Sequence, residues 1–398
     1  MKDPRDLAPD TKVIHARRQT LPEGNIPLVS PIYQSVKFKP SSIHQAQEIM
    51  RQRNQGYLYS RLSNPTVREL EVLLADLQGR DDALATASGV AAITAVAMTF
   101  LNAGDRAVVF TESYKPTRFL LQGILARFGV ETIRINRDDY SKLEELCNEA
   151  KPPKLIFFES PTNPTLRLHD LERIIRCAQS CGCLTVLDNT FAGFTAHGEF
   201  EIDIFIHSLT KQANGHSDAM GGAIIARGEL VDKVFPIAVT LGACLDPNSA
   251  WLTLRGMKTF TLRTQKAAEN ALDLAKWLQQ KPWVTNLQYP ALPNHRDHEL
   301  WKKQNRGDGG AVITFDLKCT NRQLEMFFDH LKIFTLTPSL GCVESLAVPC
   351  LMFYGDDLPN DEALKAGISP TTVRLAIGIE SVNDLKRDLQ QAAIQSLT

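Results

Sequence analysis

The sequence predicts an α/β protein: a large domain built on a mostly parallel sheet, followed by a smaller C-terminal α+β domain. Three observations lead there. From about residue 83 to residue 226, short apolar runs alternate with helical stretches, the pattern of parallel strands joined by crossover helices. Polar residues fall directly after those runs: Tyr114, Glu159-Ser160-Pro161-Thr162-Asn163-Pro164, Asp188-Asn189-Thr190 and Ser208-Leu209-Thr210-Lys211. In a parallel sheet the carboxyl ends of the strands share one rim, and ligands bind there. Beyond residue 250 the alternation gives way to a long helical stretch and shorter strand-like runs.

The bulk properties narrow the partners. The chain has 398 residues, enough for two or three packed units, with 43% hydrophobic and 22% charged residues, as in ordinary globular proteins. A net charge of -1 argues against nucleic-acid or acidic-membrane partners. No apolar run approaches the roughly 20 residues of a membrane span, and Met1-Lys2-Asp3-Pro4-Arg5-Asp6 shows no apolar leader. A cytoplasmic setting is therefore expected. Eight cysteines in a chain this long do not make a disulfide framework. Cys177, Cys181 and Cys183 cluster, but Cys-x3-Cys-x-Cys matches no common zinc spacing. Free thiols and no bound metal are expected.

Taken in order, residues 1–58 read as an extended N-terminal arm, broken by Pro22, Pro27 and Pro31, with a helix over 43–53. Residues 59–250 form the large domain. Tyr59 and Arg61, two apart, share a face if that segment is extended. An aromatic hydroxyl beside a guanidinium suits a phosphate, and an ordinary interface pair reads equally well. Asn64-Pro65 marks a turn, after which 67–77 is helical with Leu70, Leu73, Leu74 and Leu77 on one face, ended by Gly79. Ala83–Ala87 leads into Ser88-Gly89-Val90 and an Ala-rich helix. This is an anion site at a helix N-terminus or a tight turn that opens a packed helix.

Strands follow over 106–110, 155–158, 185–187, 203–206 and 221–226, with helices over 118–128 and 171–179. A lysine after two hydroxyl residues, as in Ser208-Leu209-Thr210-Lys211, suits a Schiff base beside a phosphate. Alone, such a run more often makes a solvated turn. Four polar clusters at successive strand ends favour the site. Residues 251–398 make the C-terminal domain: helical to about residue 279, strands over 311–317 and 334–336, a loop at 339–346 and a strand over 373–379. Arg374 stands in that apolar run and must meet an anion, either an internal carboxylate or a ligand.

Together these motifs resemble the pyridoxal-phosphate enzymes of Cys/Met metabolism, the trans-sulfuration family. The likeness rests on Tyr59-Ser60-Arg61, Asn64-Pro65-Thr66, Ser88-Gly89, Glu159-Ser160-Pro161, Asn163-Pro164, Asp188-Asn189-Thr190-Phe191, Ser208-Leu209-Thr210-Lys211, Gly215-His216-Ser217-Asp218, Leu254-Arg255-Gly256, Arg374-Leu375 and Gly378-Ile379-Glu380. It implies a fold-type I architecture with a sheet of the seven-stranded type. It also implies pyridoxal 5'-phosphate on Lys211 as a Schiff base. Ser88, Gly89, Ser208 and Thr210 would bind the phosphate, with Tyr59 and Arg61 from a neighbouring subunit and Val90 and Thr190 also at the cofactor. Asp188 would pair with the pyridine nitrogen, Tyr114 stack on the ring and Asn163 lie beside the ring hydroxyl. Arg374 would clamp an amino-acid carboxylate, with Ser339, Leu340, Tyr59 and Tyr114 also at the substrate. Lys211 and Tyr114 would be catalytic. A homotetramer of dimers that share active sites is the implied assembly.

Within the family, Tyr114-Lys115-Pro116-Thr117 and Gly215-His216-Ser217-Asp218-Ala219-Met220 are similar to the bacterial cystathionine β-lyases. Pro116 stands where methionine γ-lyases carry a cysteine. Pro338 stands where γ-synthases and γ-lyases often carry a glutamate. Leu340 points the other way, as the γ-type residue, and Val348-Pro349-Cys350 replaces the usual His-Pro-Ala. β-Elimination of cystathionine is the expected reaction. γ-Synthase, γ-lyase or methionine γ-lyase activity is its rival. An aminotransferase or a non-catalytic cofactor-binding protein is the alternative of another class.

Overall fold

The computed structural model describes residues 24–51, 55–305, 309–355 and 358–397. Residues up to Ile32 form a separate unit, and its described part, 24–32, contains no helix or strand. The second and far larger unit begins at Tyr33. Near its start, Tyr33 N–H donates to Thr66 Oγ1 at 3.0 Å and Phe38 N–H to the Leu58 carbonyl at 2.9 Å. The helix expected over 43–53 runs Ile43–Arg51, and 52–54 lie outside the described residues.

Seven five-residue strands make the first sheet: β1 Asp82–Thr86, β2 Arg106–Phe110, β3 Glu131–Ile135, β4 Leu155–Glu159, β5 Leu184–Asp188, β6 Ile204–Ser208 and β7 Gly222–Ala226. Their spatial order is β1-β7-β6-β5-β4-β2-β3. β1, β2, β4 and β7 are buried along their whole length, as strands covered by helices on both faces must be. β7 runs antiparallel to β1 and to β6, and the other pairs are parallel. The reason is local. A parallel return needs a crossover of a dozen or more residues, usually helical, and the segment from Ser208 to Gly222 contains no helix. Since β7 opposes both neighbours, β1 points the same way as β6. The carboxyl ends of β1, β2, β4, β5 and β6 therefore meet at one rim.

Three expected elements differ. The helix expected over 118–128 is a short helix Lys115–Phe119, a π-helical turn Leu120–Ile124 and a 3₁₀ turn Leu125–Phe128. Pro116 fits the first turn of a helix, and Gly129 ends the run in the left-handed region at φ 81. β3 and the helix Tyr140–Asn148 were not expected. β3 is half-exposed at the sheet edge, so its sequence lacks an apolar run.

A second sheet has the order β10-β11-β12-β9-β8: β8 Val284–Gln288, β9 Val312–Leu317, β10 Thr335–Leu336, β11 Leu346–Pro349 and β12 Thr372–Ala376. Part of the stretch expected to be loop before residue 346 therefore leads into a strand. Its core is Ile313, Phe315, Phe327, Leu375 and Leu389, against the long helix Phe260–Leu278 and the last helix Val382–Leu397. A buried ionic cluster joins the segment after β4 to the segment before the helix His298–Gln304. There Asp297 accepts hydrogen bonds from Arg167 Nε at 2.7 Å, Arg137 Nη2 at 2.9 Å and the Leu168 N–H at 3.1 Å.

Candidate active site

The shared rim opens into a cavity of about 290 Å³. Its wall contains Ser88, Gly89, Val90, Tyr114, Asn163, Asp188, Thr190, Ser208, Thr210, Lys211, Ser339, Leu340 and Arg374, so the structure gathers most of the residues singled out from the sequence. Ser88 caps the helix Gly89–Phe100, its hydroxyl accepting from the Ala91 N–H at 3.1 Å. The first N–H groups of a helix have no internal partner, and those of Gly89 and Val90 are left for an anion. The approach is close because Gly222 is beside it: a Cβ there would stand 2.2 Å from the Ser88 carbonyl oxygen.

Thr190 ties two strand ends together. Its hydroxyl donates to the Asp188 carboxylate at 2.6 Å and accepts from the Ser208 N–H at 2.9 Å. Burial pushes the Asp188 carboxyl above its ordinary value, against the hydrogen bonds from Thr190 and the charge of Lys211. Glu159 is Asp188's register partner on β4. Burial first, and then Asp188, pushes its carboxyl up further. It accepts from the Tyr114 N–H and so sets the start of the Tyr114 turn. Burial, with Glu159 and Asp188, raises the Tyr114 phenol, which stays protonated at neutral pH.

Lys211 Nζ donates to Ser339 Oγ at 2.9 Å. Burial, and next the charge of Arg374, holds the ammonium below its ordinary pKa. That favours the neutral, nucleophilic amine. Gly341 makes this contact possible. It lies in the left-handed region at φ 77, and a Cβ on it would stand 2.6 Å from the Gln212 nitrogen.

Arg374 projects from β12 and is 2% exposed. Nη1 donates to Asn163 Oδ1 at 2.9 Å and Nη2 to the Ser339 carbonyl, while buried Nε has no partner among the described residues. Among the described residues no carboxylate pairs with it. Of the two readings left open by the sequence, the internal carboxylate is not seen among the described residues.

Tyr59 and Arg61 are not in the wall of this cavity. Tyr59 forms an isolated antiparallel bridge with Lys37 and Arg61 lies in the turn that follows; both are exposed, with the guanidinium 5.6 Å from the Tyr59 ring centroid and Nη1 donating to the Val239 carbonyl at 3.3 Å. Sequence reasoning gave no role to Ile93, Glu159, Phe191 and Tyr354, which complete the wall together with Pro338, singled out there for the choice of reaction. Glu159 and Phe191 stood inside quoted motifs. Tyr354 stood in none, and no local pattern marks it.

The donor set suits a cofactor with one dianionic group, one basic ring nitrogen and one carbonyl. The helix N–H groups and hydroxyls would suit the first, Asp188 the second and a desolvated amine the third. Known proteins agree. The chain is 38% identical over 367 residues to a cystathionine gamma-lyase of Bacillus subtilis, covering 91% of this chain and 93% of that protein. It is 36% identical over 391 residues to a cystathionine beta-lyase of Coxiella burnetii, covering 96% and 97%. Among solved structures it superposes with TM-score 0.87 on a Campylobacter jejuni protein provisionally described as an O-acetylhomoserine (thiol)-lyase (30% identity; 92% of this chain, 95% of that one), which carries N'-pyridoxyl-lysine-5'-monophosphate. Residues 10–394 match the model of the Cys/Met metabolism PLP-dependent enzymes, and with that match across nearly the whole chain, this protein belongs to that family and uses pyridoxal phosphate.

Proposed function

We propose that the protein is a carbon–sulfur lyase that β-eliminates L-cystathionine to homocysteine, pyruvate and ammonia. The observation that carries this reading is the wall at Pro338-Ser339-Leu340. It supplies no titratable side chain beside Lys211, so this reading gives the proton chemistry at Cα to Lys211 with Tyr114. β-Elimination asks for proton removal at Cα alone. γ-Chemistry also needs a proton moved at Cβ. The γ-type relatives of similar identity favour the rival reading.

Gly89 and Val90 N–H groups with the Ser88, Ser208 and Thr210 hydroxyls would hold the cofactor phosphate. Asp188, backed by Thr190, would keep the ring nitrogen protonated. Tyr114 would cover the ring, Asn163 would lie by its hydroxyl and Lys211 would be the attachment point. When bound, pyridoxal phosphate supplies an electron sink for the pair left at Cα. Arg374 and Ser339 orient the α-carboxylate, so the Cα hydrogen meets Lys211. The Lys211 amine takes that proton, and Tyr114 holds the substrate amine in place as a neutral phenol. Loss of the thiolate from Cβ follows.

Tyr59 and Arg61 belong to this proposal as residues lent to a second copy's cavity in a homotetramer. Their exposure and distance from their own cavity support that. A cytoplasmic location accords with eight free thiols.

Incubation of the holoenzyme with L-cystathionine tests the reaction. Pyruvate with homocysteine supports it. 2-Oxobutyrate with cysteine replaces it with γ-elimination. Cystathionine made from cysteine and an activated homoserine, with no keto acid, makes the protein a synthase.

A further inference from the structure

The C-terminal wall of the cavity contains a phenol that no motif announced. Tyr354 is 8% exposed and sits in a π-helical turn, Leu351–Gly355, directly after β11. In the register of the second sheet Val348 of β11 faces Arg374 of β12, so the turn after β11 is set against the arginine. The Arg374 guanidinium lies 4.6 Å from the Tyr354 ring centroid. A guanidinium over an aromatic face is attracted by the ring quadrupole, and more strongly where water is excluded.

Two polar groups are left over here. Arg374 Nε is buried without a partner among the described residues. Tyr354 lines the cavity, and its hydroxyl takes part in no hydrogen bond among the described residues; its carbonyl accepts from Arg118 Nη2 at 3.5 Å. Burial pushes the phenol up to about 12, with Arg374 opposing and Cys350 and Tyr114 adding to the rise. The group is therefore a neutral O–H donor throughout the working pH range. The hydroxyl is not closed off by the protein, so it is free to donate to a ligand that fills the cavity.

The turn is not loosely attached. Arg118 also donates to the carbonyls of Thr111 and Ser113, immediately before Tyr114. One buried guanidinium thus holds the Tyr114 segment and the Tyr354 turn together.

We propose that Tyr354 is a further substrate-binding residue: its ring face holds the Arg374 guanidinium in place, and its hydroxyl donates to the amino-acid α-carboxylate that Arg374 receives. The chemistry fits the ligand. A carboxylate accepts about four hydrogen bonds, and two of the Arg374 nitrogens already donate to Asn163 and Ser339. The phenol adds a further donor to the N–H groups that the arginine still has free. This inference rests on the reading of Arg374 as the carboxylate clamp.

The test uses the holoenzyme and two probes without a leaving group: glycine, which has a carboxylate, and methylamine, which has none. Binding is followed by calorimetry and by the visible absorbance of the cofactor. Tyr354→Phe keeps the ring and removes the donor. It should weaken glycine about tenfold or more, the size of a hydrogen bond to a charged group, and leave methylamine unchanged. With the sulfur substrate, KM should rise while kcat stays within about twofold. Tyr354→Leu, which also removes the ring, should weaken glycine further. Unchanged glycine binding in Tyr354→Phe overturns the proposal. So does an equal loss for glycine and methylamine, which would mark a structural role. Arg374→Lys measured beside it separates the two ideas. If glycine is weakened in Arg374→Lys and not in Tyr354→Phe, the clamp stands and Tyr354 drops out. If Arg374→Lys leaves glycine unchanged, the clamp falls and this proposal falls with it.

Discussion

Arg374 and the pair Arg137 and Arg167 are all largely buried, yet they face different things. Arg137 and Arg167 converge on Asp297, which also accepts a backbone N–H. Every charge there has an internal partner. Arg374 has an amide oxygen, a carbonyl and an aromatic face, and no carboxylate among the described residues. A buried charge that is paired internally closes a structure; one that is left unpaired costs free energy until something anionic arrives. The contrast separates a clasp from a binding site without reference to any other protein.

Four substitutions or conditions can break or sharpen that contrast. The largest effect is expected at Lys211, the other cation of the cavity. Lys211→Ala should lower turnover by about 10⁴-fold, the upper range for a proton-transfer group, and remove the visible absorbance of the attached cofactor. A band that persists would move the attachment elsewhere. Next is the clasp. Asp297→Ala removes the buried anion and leaves the two guanidinium groups only the more exposed Asp138, and should cost about 3 kcal/mol in urea unfolding, with KM unchanged. A change in KM without a loss of stability would show that the cluster serves the site. Third, Arg374→Leu should raise KM by about 10²-fold, while the unfolding midpoint stays level or rises because an uncompensated buried charge has gone. If instead it destabilises as much as Asp297→Ala, the distinction fails.

The smallest effect is the pH dependence. Burial alone would raise the Asp297 carboxyl, but the Arg167 hydrogen bond, with the charges of Arg137 and Arg167, holds it below its ordinary value. A carboxyl depressed in the folded state stabilises the fold fully above its unfolded value, about 3.9, and loses that contribution as pH falls through the lower folded value. The clasp should therefore be indifferent to pH between 7 and 5 and weaken below about 4, and Asp297→Asn should abolish that acid limb. Lys211 runs the other way. Its lowered pKa means that activity should climb with pH and level off earlier than an ordinary lysine, near 10.4, would allow. A profile that still rises at that pH would mean the amine is not desolvated.

The features that were legible in the sequence share one trait. β2, β4 and β6 announce themselves as apolar runs buried on two faces, and Asp188, Ser208 and Lys211 stand beside them in the chain. β3, half-exposed at an edge, carries Glu131, Thr132 and Arg134 among its isoleucines and gave no such signal. The stretch 118–128 was legible as helical but not as part of three short pieces that begin at Lys115, because where such a run changes its winding depends on what it packs against. Tyr354 was illegible, although it closes the same cavity.

By itself, then, the sequence determined most strands of the first sheet, the polar residues at their ends, the attachment lysine expected at 211 and the family. Those are local properties, written in runs of a few residues. The tertiary structure decided the rest: that Ser339 reaches Lys211 across 128 positions, that Arg118 meets the Tyr354 carbonyl across 236, that Arg374 is left without a carboxylate among the described residues, and that Tyr59 and Arg61 stand away from their own cavity. The physical reason is that periodicity tells which face of an element is buried. It does not tell which distant side chain will be there, because that depends on the packing of two sheets and on one register, Val348 opposite Arg374.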